Sequence, residues 1–203
     1  MGRALSRRPH PPATADGRRL GKVRVGELTG EQRALYDAIV GGPRARNRSI
    51  PLTDDAGGLE GPFNAMLLSP RLGMALQAVG SELRFGGALS GREREIAILI
   101  VAAVWHSEYE IYAHEAAGRA AGLSAFELGA LSSLHPEALA DGREALIGRI
   151  VLALAARGDL TDDEYAEAAE MLGAATLFEL STLVGYYATL ALQLRIFRVP
   201  VPR

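Results

Sequence analysis

The chain has 203 residues, of which 48% are hydrophobic and 23% are charged, and its formal net charge at pH 7 is −2. This size and balance are typical of a globular domain with a substantial core, and the weak negative charge argues against nucleic acid as the main partner. The chain contains no cysteine. That absence excludes disulfides, thiolate zinc sites and thiol peroxidase chemistry, and it fits a cytoplasmic location.

The N-terminal residues 1–14 are rich in arginine and proline and lack the apolar segment of a secretory signal. We expect residues 1–20 to form a flexible arm, and a basic binding arm is the alternative. The longest apolar run, Ile96 to Trp105, is far shorter than the roughly 20 residues needed to cross a bilayer, so no membrane span is expected. Residues 21–203 are predicted to form a single domain.

Start and stop signals for helices recur along this domain. Four sites have the capping-box pattern, a Ser or Thr followed three residues later by Glu or Gln: Thr29/Gln32, Ser90/Glu93, Ser124/Glu127 and Thr161/Glu164. Ser69-Pro70 has the pattern of an N-cap followed by proline at the first helical position. Glycine, which favours helix C-termini, follows the periodic apolar segments at Gly41, Gly86, Gly122 and Gly158.

These signals and the apolar periodicity predict nine helices and an all-α fold class. The helices are expected near 29–40, 62–68, 70–85, 91–105, 107–121, 124–133, 142–157, 162–173 and 175–195. A polar, glycine-rich connection over 43–61 joins the first two. No segment alternates with a period of two over the length of a strand.

Two of the predicted helices are apolar on nearly every side, over residues 96–104 and 177–194. Such a helix belongs at the centre of a core or at a subunit interface. Two of them in one small domain suggest a homo-oligomer, and a buried central pair is the alternative.

A stripe of polar side chains directly follows the first apolar helix. Ser107, Glu110 and His114 share one face of a predicted helix, since residues three and four apart are neighbours there. A carboxylate can orient an imidazole, and this combination suits proton transfer near neutral pH. The alternative is an exposed Glu/His pair, which is common on helix surfaces.

The segments 89–103, 107–110 with His114, and 121–124 resemble the carboxymuconolactone decarboxylase family, part of the AhpD-like, all-helical superfamily. The flanking segments 61–64, 68–70 and 185–187 agree, so the resemblance covers about residues 60–195. It implies an AhpD-like helical bundle that assembles as a trimer or hexamer. It also implies a small-molecule substrate, with no metal and no organic cofactor.

The resemblance also places individual residues. Aligned on His114, the two cysteines of the peroxidase branch fall on Ser107 and Glu110, and a glutamate of the preceding helix falls on Glu95. Without thiols, a disulfide-relay peroxidase cycle is closed to this chain. The decarboxylase branch retains a carboxylate at the Glu110 position together with the histidine, and this sequence matches that pattern.

The reaction implied by the resemblance is a decarboxylation, in which a γ-carboxylated butenolide loses carbon dioxide. The ring carbonyl accepts the electrons, so the protein must stabilise an oxyanion and protonate carbon. We expect His114 to donate the proton, with Glu110 and Glu95 as the two carboxylates, and Glu110 as a candidate to orient the ring. A ligand-binding helical oligomer without catalysis is the alternative. The residues expected to contact the substrate are Phe63, Trp105, Ser107, Tyr109, Tyr112 and Tyr186.

Other polar residues have simpler interpretations. Ser107 is expected to cap its helix rather than act as a nucleophile, since no Ser-His-Asp arrangement is visible. His106 is expected to be solvated, and its spacing of eight from His114 does not predict a metal site. Arg92 and Arg94 are expected to pair with the glutamates beside them, and binding of a substrate carboxylate is the alternative.

Overall fold

The computed structural model describes residues 17–45 and 50–202. The α-helices in these ranges are α1 (Gly30–Val40), α2 (Pro62–Met66), α3 (Pro70–Phe85), α4 (Gly91–Val104), α5 (Glu108–Ala120), α6 (Ala125–Ser132), α7 (Gly142–Arg157), α8 (Asp162–Met171) and α9 (Ala174–Ile196). Short 3-10 turns cover Val25–Glu27, Pro43–Ala45 and Pro136–Ala138. Every predicted helix is present, and the all-α fold class is confirmed. Within the described ranges, the β-type pairing is limited to one isolated bridge between Thr53 and Leu59.

Most of the predicted N-terminal arm, residues 1–16, lies outside the described residues. Close to the first described residue, the chain is hydrogen-bonded through Arg19 to the end of α9. The backbone N–H of Arg19 donates to the carbonyl of Phe197 at 2.9 Å, and its guanidinium donates to the carbonyl of Ile196 at 3.2 Å.

All four predicted capping boxes form. At the start of α4, the Ser90 hydroxyl accepts from the N–H of Glu93 at 3.1 Å, and the Glu93 carboxylate accepts from the N–H of Ser90 at 2.7 Å. These bonds satisfy N–H groups that have no partner inside the helix. Ser69 and Ser107 also occupy N-cap positions, but neither side chain makes the expected capping hydrogen bond.

Helix α4 lies at the centre of the core. Residues 96–102 are each at most 1% exposed, and the helix packs against α5, α6, α7 and α9. A helix with neighbours on all these sides requires apolar residues around its whole circumference. The central position explains why this segment shows no amphipathic periodicity.

Helix α9 is covered on one side only. Its inner face is buried against α3, α4 and α7, whereas Phe178, Leu192 and Ile196 on the outer face are 75%, 46% and 52% exposed. In the described part of the chain, α9 is the one helix long and apolar enough to cross a membrane by length and composition. The predicted homo-oligomer would give the outer face a partner, and it stays a prediction.

Three helices end on a non-glycine residue with left-handed backbone geometry: His106 (φ 51°), Leu134 (φ 61°) and Arg198 (φ 50°). Each ending has the hydrogen bonds of a Schellman motif. After α4, for example, the N–H of Ser107 donates to the carbonyl of Ala102 at 2.9 Å. Glycine adopts this geometry without the steric cost that a Cβ atom imposes.

Replacing His106 with glycine is therefore expected to raise the free energy of unfolding by about 1 kcal/mol. The imidazole is exposed, so little packing is lost with it. Urea denaturation midpoints measure the effect. His106→Ala is the control, because it removes the same ring but keeps the strained backbone, and it should bring no gain. A glycine variant no more stable than the alanine variant would contradict the argument.

Candidate functional site

A cavity of about 120 Å³ opens between the connection that precedes α2 and helices α2, α3 and α5. We call it the His114 cavity. Its walls are mostly apolar, and its polar lining residues within the described ranges are Arg44, Glu60, Arg84, Tyr109 and His114. An engineered protein cavity of about 150 Å³ binds benzene, so this space suits a molecule the size of a single ring.

The imidazole at the wall is held by a buried carboxylate. His114 Nδ1 lies 2.6 Å from Glu95 Oε2, and Arg84 Nη2 donates to Glu95 Oε1 at 3.2 Å. Glu95 is 2% exposed. Helices α3, α4 and α5 each contribute one member, so the packing of three helices creates the Arg84–Glu95–His114 triad.

The charge of Glu95 determines which nitrogen of the imidazole ring faces the carboxylate with a proton. Burial acts to raise the pKa of Glu95, but His114, Arg84 and Arg94 together outweigh burial and hold that pKa below its ordinary value. The ionised carboxylate accepts the Nδ1 proton and leaves Nε2 as the nitrogen available to a ligand. Nε2 is an acceptor in the neutral ring and a donor in the protonated ring. This arrangement suits a general acid or base.

Glu110 does not orient the imidazole, although the spacing of four made it a candidate for that role. It is 3% exposed, and neither carboxylate oxygen has a hydrogen-bond partner among the described residues. Burial raises the pKa of Glu110 to about 8, and Ser107 lowers it only in part. Glu110 therefore carries a proton at neutral pH. It lies on the core side of α5 and does not line the His114 cavity.

Of the residues predicted to contact a substrate, Phe63 and Tyr109 line the His114 cavity. Tyr186 is buried behind it, in an edge-to-face contact with Tyr187 at 5.1 Å between ring centres. Tyr187 in turn meets the His114 ring edge to face at 5.2 Å. The two tyrosines of α9 thus brace the imidazole from the core side.

The remaining three predicted contacts lie away from this cavity. Tyr112 is 40% exposed, and Trp105 is partly buried at the end of α4. Ser107 is 1% exposed and lines a separate depression beside the C-terminal segment, together with His106 and Arg195. Its hydroxyl has no hydrogen-bond partner in the described part of the chain.

The expected pairing of Arg92 and Arg94 with adjacent glutamates is wrong for Arg92. Arg92 binds Glu127 and Glu144, which connects α4 to α6 and α7. These partners come from distant parts of the sequence and are closer in the packed structure than the neighbours along α4. Arg94 lies near Glu95 and lowers its pKa without a direct hydrogen bond.

Sequence reasoning missed Arg44 and Arg84. Arg84 lies in the last turn of α3, and Arg44 lies in the 3-10 turn after α1. No periodicity brings these two positions to His114, so only the packing reveals them. Within the described ranges, no group of three or more His, Asp or Glu residues is placed to hold a metal ion.

No family model matches this sequence, and no curated protein matches it. Solved structures do match nearly its whole length. An uncharacterised peroxidase-related protein from Ralstonia eutropha JMP134, described as an alkylhydroperoxidase AhpD core, has a TM-score of 0.73 at 13% identity, covering 91% of this chain and 92% of that one.

A peroxidase-related protein from Silicibacter sp. TM1040 has a TM-score of 0.68 at 14% identity, covering 97% of this chain and 94% of that one. The debrominase Bmp8, solved as a cysteine-to-alanine variant in complex with 2,3,4-tribromopyrrole, has a TM-score of 0.68 at 9% identity, with coverages of 89% and 90%. Likeness at these identities shows a shared architecture and not a shared activity. The protein has the AhpD-like helical fold.

Proposed function

We propose that this protein is a cofactor-independent acid/base enzyme for a small, enolisable, carboxylated molecule, with decarboxylase-like lyase chemistry as the leading reaction. The observation that carries the proposal is the Glu95–His114 contact at the wall of a ring-sized cavity. A buried carboxylate fixes one nitrogen of the ring, and the other nitrogen is left for a ligand.

The chemistry follows from the electron flow in a carboxylated, unsaturated lactone. The C–C bond to the carboxylate breaks, carbon dioxide leaves, and the electron pair moves through the double bond onto the lactone carbonyl oxygen. The resulting enolate needs a hydrogen-bond donor at oxygen and a proton at carbon. Protonated His114 can supply either through Nε2–H, while Glu95 stabilises the imidazolium. General acid catalysis of this kind contributes on the order of 10²–10⁴ in rate.

Thiol-dependent peroxide reduction is disfavoured for this chain, because it contains no cysteine. The peroxidase activity suggested by the names of the structurally similar proteins is therefore not assigned to this chain. A small-molecule-binding oligomer without turnover is the alternative that the experiment must separate from an enzyme.

The test is turnover of a panel of γ-carboxylated butenolides by the purified protein, followed as carbon dioxide release. His114→Gln is expected to lower the rate at least about 100-fold. His135→Gln is the control, since His135 is exposed and lies outside the cavity, and its rate should equal that of the unmodified protein. Full activity in His114→Gln would refute the proposal. Binding of the panel without any product would favour the non-catalytic alternative.

A further inference from the structure

Arg44 is a cation at the cavity wall with unused hydrogen-bonding capacity. Its guanidinium carbon lies 5.5 Å from the centre of the Phe63 ring, and Nη2 donates to the carbonyl of Gln77 at a long 3.3 Å. In the described part of the chain Arg44 has no ion pair, and its buried Nε has no hydrogen-bond partner. A partly buried cation with an unsatisfied donor is unfavourable unless an anion joins it.

The other charged groups at the cavity wall already have partners. Arg84 is bonded to Glu95. Glu60 is bonded to the Lys22 ammonium at 2.5 Å, and Lys22 also holds Asp54 at 2.6 Å. Lys22 and Arg84 are therefore both occupied by carboxylates. Among the described residues that line the cavity, Arg44 is the cation that lacks an acidic partner, and an anionic ligand would supply one.

A second donor without a partner lies beside the Arg44 guanidinium, behind the cavity wall. A Cβ atom built at Gly80 would lie 2.1 Å from the Tyr186 hydroxyl oxygen and 2.6 Å from Arg44 Nη2. The two donors are therefore neighbours, packed against an α3 position that lacks a side chain. Tyr186 is 5% exposed, and its hydroxyl has no hydrogen-bond partner among the described residues.

We infer that Arg44, with the Tyr186 hydroxyl beside it, anchors a carboxylate of a ring-sized ligand whose ring rests on Phe63 and reaches His114. A guanidinium presents parallel N–H donors that match a carboxylate. A cation that held the departing carboxylate would oppose decarboxylation, because the negative charge leaves that group in the transition state. The anchored carboxylate is therefore a second one, which the reaction retains. This assignment rests on the proposed function, whereas carboxylate binding at Arg44 does not.

The test compares two isosteric probes, 4-fluorobenzoate and 4-fluorobenzamide, by ¹⁹F NMR titration of the purified protein. Arg44→Gln is expected to weaken benzoate binding about 10- to 100-fold. Binding of the neutral benzamide should change by less than about threefold, because it lacks the charge that Arg44 recognises. Arg71→Gln on the exposed start of α3 removes the same charge and should alter neither affinity.

Tyr186→Phe removes only the hydroxyl and is expected to weaken benzoate binding about 3- to 10-fold. It keeps the test decisive if Arg44→Gln fails to fold. Equal benzoate affinity in the unmodified protein and in the folded anchor variants would overturn the inference. If the unmodified protein bound benzoate in an Arg44-dependent way but turned over none of the butenolide panel, the anchor would stand and the proposed function alone would be rejected.

Discussion

Replacing Glu110 with glutamine is expected to raise the free energy of unfolding by about 3 kcal/mol at pH 7. Glu110 is 3% exposed, without a hydrogen-bond partner in the described part of the chain. Its pKa is raised by burial from 4.5 to about 8. Glutamine has nearly the same shape and carries no charge in either state, so it removes the cost of protonating on folding a carboxyl that is ionised in the unfolded chain.

The sign of the pH dependence follows from proton binding. Between pH 4.5 and about 8, the folded protein retains a proton on Glu110 that the unfolded chain has released. Stability of the unmodified protein therefore falls through this window as pH rises, by about 4–5 kcal/mol in total from this one group. The advantage of Glu110→Gln should be near zero at pH 4, grow steadily above it, and level off beyond pH 8.

Urea denaturation of both proteins at pH 4, 6, 7 and 8.5 measures this difference, and titrations common to both cancel. Glu108→Gln is the matched control, since Glu108 lies on the same helix and is exposed. Its effect should stay within about 0.5 kcal/mol at every pH. A pH-independent difference for Glu110→Gln, or a loss of stability at pH 8.5, would contradict the burial argument.

The helices could be predicted because their signals are local. The Ser90–Glu93 capping box, for instance, forms between residues three apart, so the pattern in the sequence is the contact itself. The sequence narrowed the position of α4 to a core or a subunit interface, because the helix is apolar on every side. Its packing against α5, α6, α7 and α9 places it in the core. Non-glycine helix ends such as His106 could not be predicted, since the usual residue of a left-handed C-terminus is absent there.

The candidate site could be predicted only in part. Helical spacing drew attention to His114, which lies at the cavity wall. It favoured Glu110 as the carboxylate partner because the two residues share a stripe. The rotation of α5 against α4 decides otherwise: it buries Glu110 and brings His114 to Glu95 across the helix interface. Arg44 comes from a separate connection, and no local pattern reports a contact across that distance.

Removing the Glu95 side chain is expected to cost about 3–5 kcal/mol of unfolding free energy at pH 7, because it leaves two partly buried partners without their counter-charge. Glu95→Ala deprives Arg84 and His114 of hydrogen bonds at 3.2 Å and 2.6 Å and opens a void beside α4. Urea denaturation measures the loss. Glu115→Ala, which deletes an acid paired with exposed Arg119, is the control and should cost less than about 1 kcal/mol.

The pH dependence of the Glu95 effect runs opposite to that of Glu110. Because its partners hold the pKa of Glu95 below the ordinary 4.5, the carboxylate stabilises the fold above that pH and loses its contribution as pH falls further. The penalty of Glu95→Ala should therefore be full at pH 7 and shrink below pH 4.5. Glu95→Gln separates structure from chemistry: it keeps the shape and an acceptor for Arg84, yet lacks the charge that stabilises an imidazolium. If turnover in Glu95→Gln matched that of the unmodified protein, the carboxylate would serve the fold alone.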